Sequence, residues 1–367
     1  MLIQCTKKLL DELMIKSVKN EGEVNELFAW HANILTINRR KTVVFMNDLT
    51  RYCIVLYGVK KRDFQNLHTL LLEGIKKVFQ SEFIADEVIQ HLLQHTSEPV
   101  YAKTKDRTMV ARLNKVCDTV IDCAIDSLDT NELIQVELSK GASRYLYGNG
   151  KNSYMYPHQT LFTELKEWSK KPIFEMRAVQ LNVTMELDSF HIWRRLIVPE
   201  NITFSALHKV LQKTFNWQNY HLHEFHVYPA SDSEGVFYGP NPSLTIVCDK
   251  ESLAYPAGVP MRLEHGLTLD EYLPAVFKYV YDFGDEWIHV IEIEQTLICT
   301  EQNHASCLEG EGIAPPEDVG GETGFINFLS VMKDVKHPDY GHMRHWGVMQ
   351  GYQPFDLKTI NYFLKRL

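Results

Sequence analysis

Between residues 179 and 187 apolar and polar side chains alternate, Val179-Gln-Leu-Asn-Val-Thr-Met-Glu-Leu187, the period of two expected of a strand with one buried face. A polar turn at Asp188 and Ser189 leads into a second strand, Ile192-Trp-Arg-Arg-Leu-Ile-Val198. The apolar period then changes to that of a helix from Ser205 to Phe215, followed by a strand from Leu222 to Tyr228. A short helical turn at Leu269 to Leu273 and a long strand from Phe277 to Glu294 complete a ββαβ(β) order. That order predicts a β-grasp-like α+β core. The segment from Thr300 to Gly324, rich in Gly, Pro and Glu, reads as a long irregular loop, and such loops are usually functional or disordered.

The first half carries its own pattern. A strand at Leu2 to Cys5 precedes a helix through Leu9, Leu10 and Leu13 with Thr6 as its cap. Trp30 to Ile37, Thr42 to Met46 and Tyr52 to Tyr57 are β-rich runs separated by polar turns, which predicts an antiparallel meander. Amphipathic helices are predicted at Asp63 to Phe79, Ile84 to His95, Arg107 to about Ile125 with Asp106 as cap, and Gln159 to Ser169. The polar stretch Ser169-Lys-Lys-Pro172 divides the chain into domains at 1–172 and 173–367. Both are α+β, the first an antiparallel sheet with several helices, the second the β-grasp-like core with its long Gly/Pro-rich loop.

The length of 367 residues fits two domains of roughly 100–200 residues each. A hydrophobic content of 45 % with 23 % charged residues is that of a folded protein, not of a disordered or coiled-coil chain. Seven cysteines without a CxxC pair fit neither a disulfide framework nor a thiolate zinc site. The start lacks signal-peptide order and no run is long enough to span a membrane, which predicts a cytoplasmic protein with no membrane partner. The net charge of −9 is uneven: 24 basic and 22 acidic residues to position 175, then 14 and 25, so the halves carry +2 and −11. Nucleic acid could therefore engage only the N-terminal half, through Arg39-Arg-Lys41 and Lys60-Lys-Arg62 if these are more than solvated turns. The acidic C-terminal half suits a protein partner.

Candidate chemistry concentrates in three motifs. In Tyr281-Asp-Phe-Gly-Asp-Glu-Trp-Ile-His289, the carboxylate of Asp285 and the imidazole of His289 lie four residues apart, on one face of a regular strand, as an acid/base pair or metal ligands with Asp282. The alternative is a turn at Asp282 and Asp285 around Gly284 with His289 hydrogen-bonded in a half-buried strand. His221 and His223 share a strand face and could join that group. Carboxylates with imidazoles would suit zinc, manganese or iron. Glu317 and Asp318 sit in Pro315-Pro-Glu-Asp-Val-Gly-Gly321, where they could act as a general base, bind a cation or cap backbone amides. Arg194 and Arg195 face opposite ways, and a buried arginine beside Asp285 would speak for structure. Cys307 is a candidate nucleophile or an idle buried thiol. The chain has no GxxxxGK[ST], GxGxxG, GxSxG or HExxH run, so no cofactor site is predicted beyond a divalent metal.

Taken with Ile192-Trp-Arg-Arg195, Trp217, His221-Leu-His-Glu-Phe225 and Cys307-Leu-Glu-Gly310, these motifs resemble the plasmid pRiA4b ORF-3 family over about residues 178–367. Trp287 lies within the shared motif. Val319 departs from the family pattern, in which a small or thiol residue is more usual. The first half resembles an uncharacterised domain that recurs beside this family, on Trp30-His-Ala-Asn33 and Thr104-Lys-Asp-Arg107. The resemblance implies a fold and a plasmid or mobile-element association, but no reaction. Two functions follow as expectations: a binding or regulatory module, or a metal-dependent hydrolase or nuclease using Asp285, His289, His223 and the Glu317/Asp318 loop.

Overall fold

The computed structural model describes residues 1–15, 25–96, 98–104, 106–150, 153–229, 241–254 and 258–367. Lys105, within one of the resemblance motifs, lies outside them. The chain forms two units, Met1–Met176 and Arg177–Leu367, divided just past the predicted polar boundary.

The first unit runs β1 (Leu2–Cys5), α1 (Lys7–Leu13), β2 (Ala29–Ile37), β3 (Arg40–Asn47), β4 (Cys53–Tyr57), α2 (Leu67–Ser81), α3 (Asp86–Gln94), β5 (Val100–Lys103), α4 (Arg107–Ser127), α5 (Val136–Ser143), β6 (Tyr147–Gly148), β7 (Tyr154–Met155) and α6 (Pro157–Ser169). Its main sheet has the order β4-β3-β2-β1-β5. The β2-β3-β4 meander is antiparallel as predicted, but β1 is parallel to both β2 and β5, so the sheet is mixed. Asn38 and Arg39, both at positive φ, make the hairpin turn, and Asp106 caps α4 by accepting from Thr108 N. The Thr6 hydroxyl does not cap α1; it donates to Asn33 Oδ1 at 2.9 Å. Lys41, in the predicted basic patch, is bound to both oxygens of Glu12, and Arg40 to the carbonyl of Thr130.

The second unit continues with β8 (Met176–Met185), β9 (Trp193–Pro199), α7 (Phe204–Phe215), β10 (His223–Pro229), β11 (Leu244–Val247), β12 (Met261–Leu263), β13 (Ala275–Tyr281), β14 (Trp287–Cys299), β15 (Ser306–Glu311), α8 (Gly321–Lys333), α9 (Tyr340–Met349) and α10 (Leu357–Leu364). Eight strands are ordered β12-β11-β10-β13-β14-β8-β9-β15, a sheet wider than the predicted core. The single strand predicted from Phe277 to Glu294 is a hairpin, β13 paired antiparallel to β14 with Tyr281 opposite Trp287. The segment predicted as one irregular loop holds β15, and three helices follow it.

Helix α7 lays Phe204, Leu207, Leu211 and Phe215 on the sheet beside Leu181, Val183, Phe225 and Phe277. Each such burial contributes about 1.5–3 kcal/mol, so this contact anchors the unit. Thr203 caps its start through Ala206 N, and Asn216, at φ 63°, ends it in the left-handed conformation. At the far edge of the sheet, Asn361 of α10 accepts from Cys307 N and donates to Cys307 O, both at 2.8 Å.

Candidate metal centre

Three chain segments meet beside the end of α7. The first is the stretch after Asn216, where Asn219 at φ 61° turns the chain so that His221 falls before β10 begins. The second is the β13–β14 turn. There Asp282, at φ 57°, accepts from Gly284 N (2.9 Å) and Asp285 N (3.4 Å) through Oδ1, which leaves Oδ2 turned towards His221. The third is the Pro315-Pro-Glu-Asp318 corner, tied down by Trp217 Nε1 donating to Pro315 O and Glu317 N donating to Gln350 O. Two glycines permit this approach. A Cβ on Gly351 would lie 2.3 Å from Asn216 O, and one on Gly324 would lie 1.8 Å from Val319 O.

His221 Nε2 is the centre of the cluster. It lies 2.9 Å from Asp318 Oδ1, 3.5 Å from Asp282 Oδ2 and 3.9 Å from Glu317 Oε2. One ligand atom each from His221, Asp282 and Asp318 fall within 4.8 Å of one another. Glu317 is fully buried; its Oε1 accepts from Gln218 N (2.7 Å) and from the Tyr281 hydroxyl (2.9 Å), whereas Oε2 has no hydrogen-bond partner. Burial pushes its carboxyl above the usual range despite those two donors. Asp318, at φ 56°, is the exposed member, its Oδ2 meeting Gln350 Nε2 at 3.3 Å. Two aspartates held in the left-handed region at one site are backbone strain of the kind that collects at functional positions.

The other predicted residues lie elsewhere. His223 stacks on His208 with ring centroids 3.6 Å apart and bonds Glu264 at 3.0 Å. It does not share a site with His221 because that residue precedes the strand, where alternation does not apply. Asp285 is a turn residue whose Oδ2 accepts from Gly320 N at 3.0 Å, at the start of α8. His289 is fully buried on β14, its Nδ1 donating to Tyr279 O, its ring edge-on to Phe215 and Trp217. Burial lowers its pKa to about 3. Asp285 and His289 therefore form no pair, because Asp285 lies in the turn before β14, where strand alternation does not apply. Trp287 is buried core, with Nε1 lacking a partner, as does Nε2 of His289.

Arg194 is buried without a carboxylate. It donates to the carbonyls of Trp193, Glu311 and Gly312, lies near the rings of Phe215 and Phe355, and burial lowers its pKa to about 10. The predicted neighbourhood with Asp285 is not formed. Arg195, on the other face, pairs with Glu294 and Glu309. Cys307 is buried on β15 and burial pushes its thiol up to about 11, which disfavours the nucleophilic thiolate. Sequence reasoning missed the chain Glu264, His223, His208 and Tyr279 (His208 Nδ1 to the Tyr279 hydroxyl, 2.8 Å); its one signal is a histidine on the apolar face of α7.

Residues 177–362 match the sequence model described as plasmid pRiA4b ORF-3-like protein, and residues 2–160 match a domain of unknown function (DUF6933). The uncharacterized protein y4hQ of Sinorhizobium fredii is 33 % identical over 169 residues, 46 % of this chain and 80 % of its own. A protein of unknown function from Methanosarcina mazei Go1, whose crystal structure is solved, is 31 % identical and is matched over 98 % of its length and 52 % of this chain, with a TM-score of 0.41. No described helix is long and apolar enough to cross a membrane.

Proposed function

The chain belongs to the plasmid pRiA4b ORF-3-like family, and from that premise we propose that its C-terminal unit is a divalent-metal-dependent hydrolase centred on His221, Asp282, Glu317 and Asp318. The observation that carries this reading is the buried Oε2 of Glu317, without a partner and turned towards the imidazole that Asp282 and Asp318 also approach. A buried carboxylate oxygen with no donor is costly, and a cation removes that cost. One imidazole with three carboxylates suits manganese, zinc or iron. Such an ion would polarise a carbonyl or phosphoryl oxygen and lower the pKa of a bound water. The ligand set differs from the one read in the sequence, since His223, Asp285 and His289 do not contribute.

The test is elemental mass spectrometry of protein purified without a chelating tag, followed by calorimetric titration with Mn²⁺ and Zn²⁺. The expected result is near one ion per chain, lost in His221→Ala and weakened at least tenfold in Asp318→Asn, with His289→Asn unaffected. Absence of metal and of saturable binding would sink the hydrolase. The second reading, a binding or regulatory module, would then stand; it is supported by Ile326, Val335, Tyr362 and Phe363 exposed on an acidic half.

A further inference from the structure

We propose that this centre takes an uncharged carbonyl substrate, an amide or ester bearing an aromatic or apolar group, and not a phosphate ester; the inference rests on the metal-centre reading. Sites that process phosphates surround the ion with cations or with free helix N-termini that hold the anion. No described Lys or Arg forms an ion pair with Asp282, Asp285, Glu317 or Asp318, and the backbone N–H of Gly320, where α8 starts, is already bonded. The arginines and lysine of the neighbouring strands are engaged elsewhere: Arg195 with Glu294 and Glu309, Lys278 with Glu186, and Arg194 with backbone carbonyls.

Helix α8 starts next to the cluster, but Gly320 N already serves Asp285 Oδ2, and Glu322 occupies the first turn. The dipole end is thus answered by the chain's own carboxylates. Charge arithmetic agrees. Three carboxylates, a neutral ligating imidazole and a dication leave one net negative charge, which repels a phosphate and is indifferent to a carbonyl.

The rim supplies the positive half of the argument. Tyr220 is 65 % exposed, Phe283 and Leu222 49 % each and Met349 65 %; the first three are chain neighbours of His221 or Asp282, and Met349 precedes Gln350, which bonds Asp318. Phe283 follows Asp282 and Leu222 follows His221. The Tyr220 hydroxyl donates to Gln218 Oε1, Gln218 Nε2 reaches Met349 O and Gln350 Oε1, and Gln350 Nε2 reaches Asp318 Oδ2. Large apolar side chains left in water around an acidic centre gain from covering an uncharged, apolar group.

The experiment uses the full chain loaded with Mn²⁺ or Zn²⁺ and four probes: 4-nitrophenyl hexanoate, N-benzoyl-4-nitroanilide, 4-nitrophenyl phosphate and bis(4-nitrophenyl) phosphate. Metal-dependent kcat/KM for the ester or the amide is expected to exceed that for either phosphate by at least about a hundredfold. Tyr220→Ala and Phe283→Ala are expected to raise KM by roughly tenfold with kcat retained. Both positions are exposed, and an unchanged melting temperature checks their fold. Phosphates turned over as fast as the carbonyl probes, or KM unmoved in both rim variants, would overturn the substrate class while leaving the metal hydrolase standing. Metal binding without metal-dependent turnover of any probe would overturn both.

Discussion

Each unit buries a glutamate, and the two differ in what meets the carboxylate. Glu82, in the first unit, takes two parallel hydrogen bonds of 2.7 Å from Arg144 and one of 2.8 Å from the Tyr52 hydroxyl. Burial alone would push its carboxyl up, but the guanidinium's hydrogen bonds and charge hold it below the ordinary value. Glu317, in the second unit, meets one backbone N–H and one phenol on a single oxygen, and burial prevails. A buried carboxylate closed by an arginine is architecture that needs nothing more. A buried carboxylate left open on one oxygen, beside an imidazole and two aspartates at positive φ, is the arrangement on which the proposed cation site rests.

The sharpest way to break this contrast is Arg144→Met, which strands the Glu82 charge. The expected loss is about 3–5 kcal/mol in denaturant unfolding, largely recovered by adding Glu82→Gln. A loss below about 1 kcal/mol would mean that the pair is dispensable and the contrast empty.

Acidification extends the comparison to imidazoles. Burial opposes the charge on His223, but Cys248 and Glu264 beside it raise its pKa, so it contributes stability below about 6.5 that fades as pH rises through its folded value. His289 and His208, without a carboxylate partner, are lowered by burial to about 3 and about 4. The unfolded chain takes up these two protons near pH 6.5 and the folded chain resists, so stability falls from pH 6.5 towards 4. The slope approaches about 1.4 kcal/mol per pH unit for each ring, and His289→Asn should remove one ring's share.

The smallest effect is the most telling. Glu317→Gln removes a charge whose folded pKa is raised, a group that favours folding below its unfolded pKa and opposes it above the folded one. At neutral pH the variant should match the parent or gain up to about 1 kcal/mol without added cation. Mn²⁺ at a hundredfold over Kd should stabilise the parent by about 2.7 kcal/mol and the variant clearly less. Equal stabilisation of both would exclude Glu317 from the site.

The α+β class, the meander, the α4 cap and the alternation of β8 were legible because each rests on local pattern. The parallel pairing of β1 was not, since its partner β5 is four residues with no period of its own. The β13–β14 hairpin reads as one strand because apolar residues continue on both sides of a turn whose conformation depends on Asp282 accepting from two amides. That misreading moved His289 and Asp285 into the site on paper. Helix α8 is masked by Gly321 and Gly324, which lower helix propensity where close packing demands them. The four clustered residues were each named from sequence, but their grouping depends on left-handed backbone at Asp282 and Asp318 that no residue type there announces.

Asn361 gives the sheet a guarded border. By binding both backbone groups of Cys307 it imitates the next strand with one amide side chain and denies that position to another chain. The border is only as secure as the last helix: a cut or fusion that lifts α10 would leave β15 ready to pair with its counterpart in a second molecule. Self-association, rather than unfolding, would then be the first sign of damage at this end of the unit.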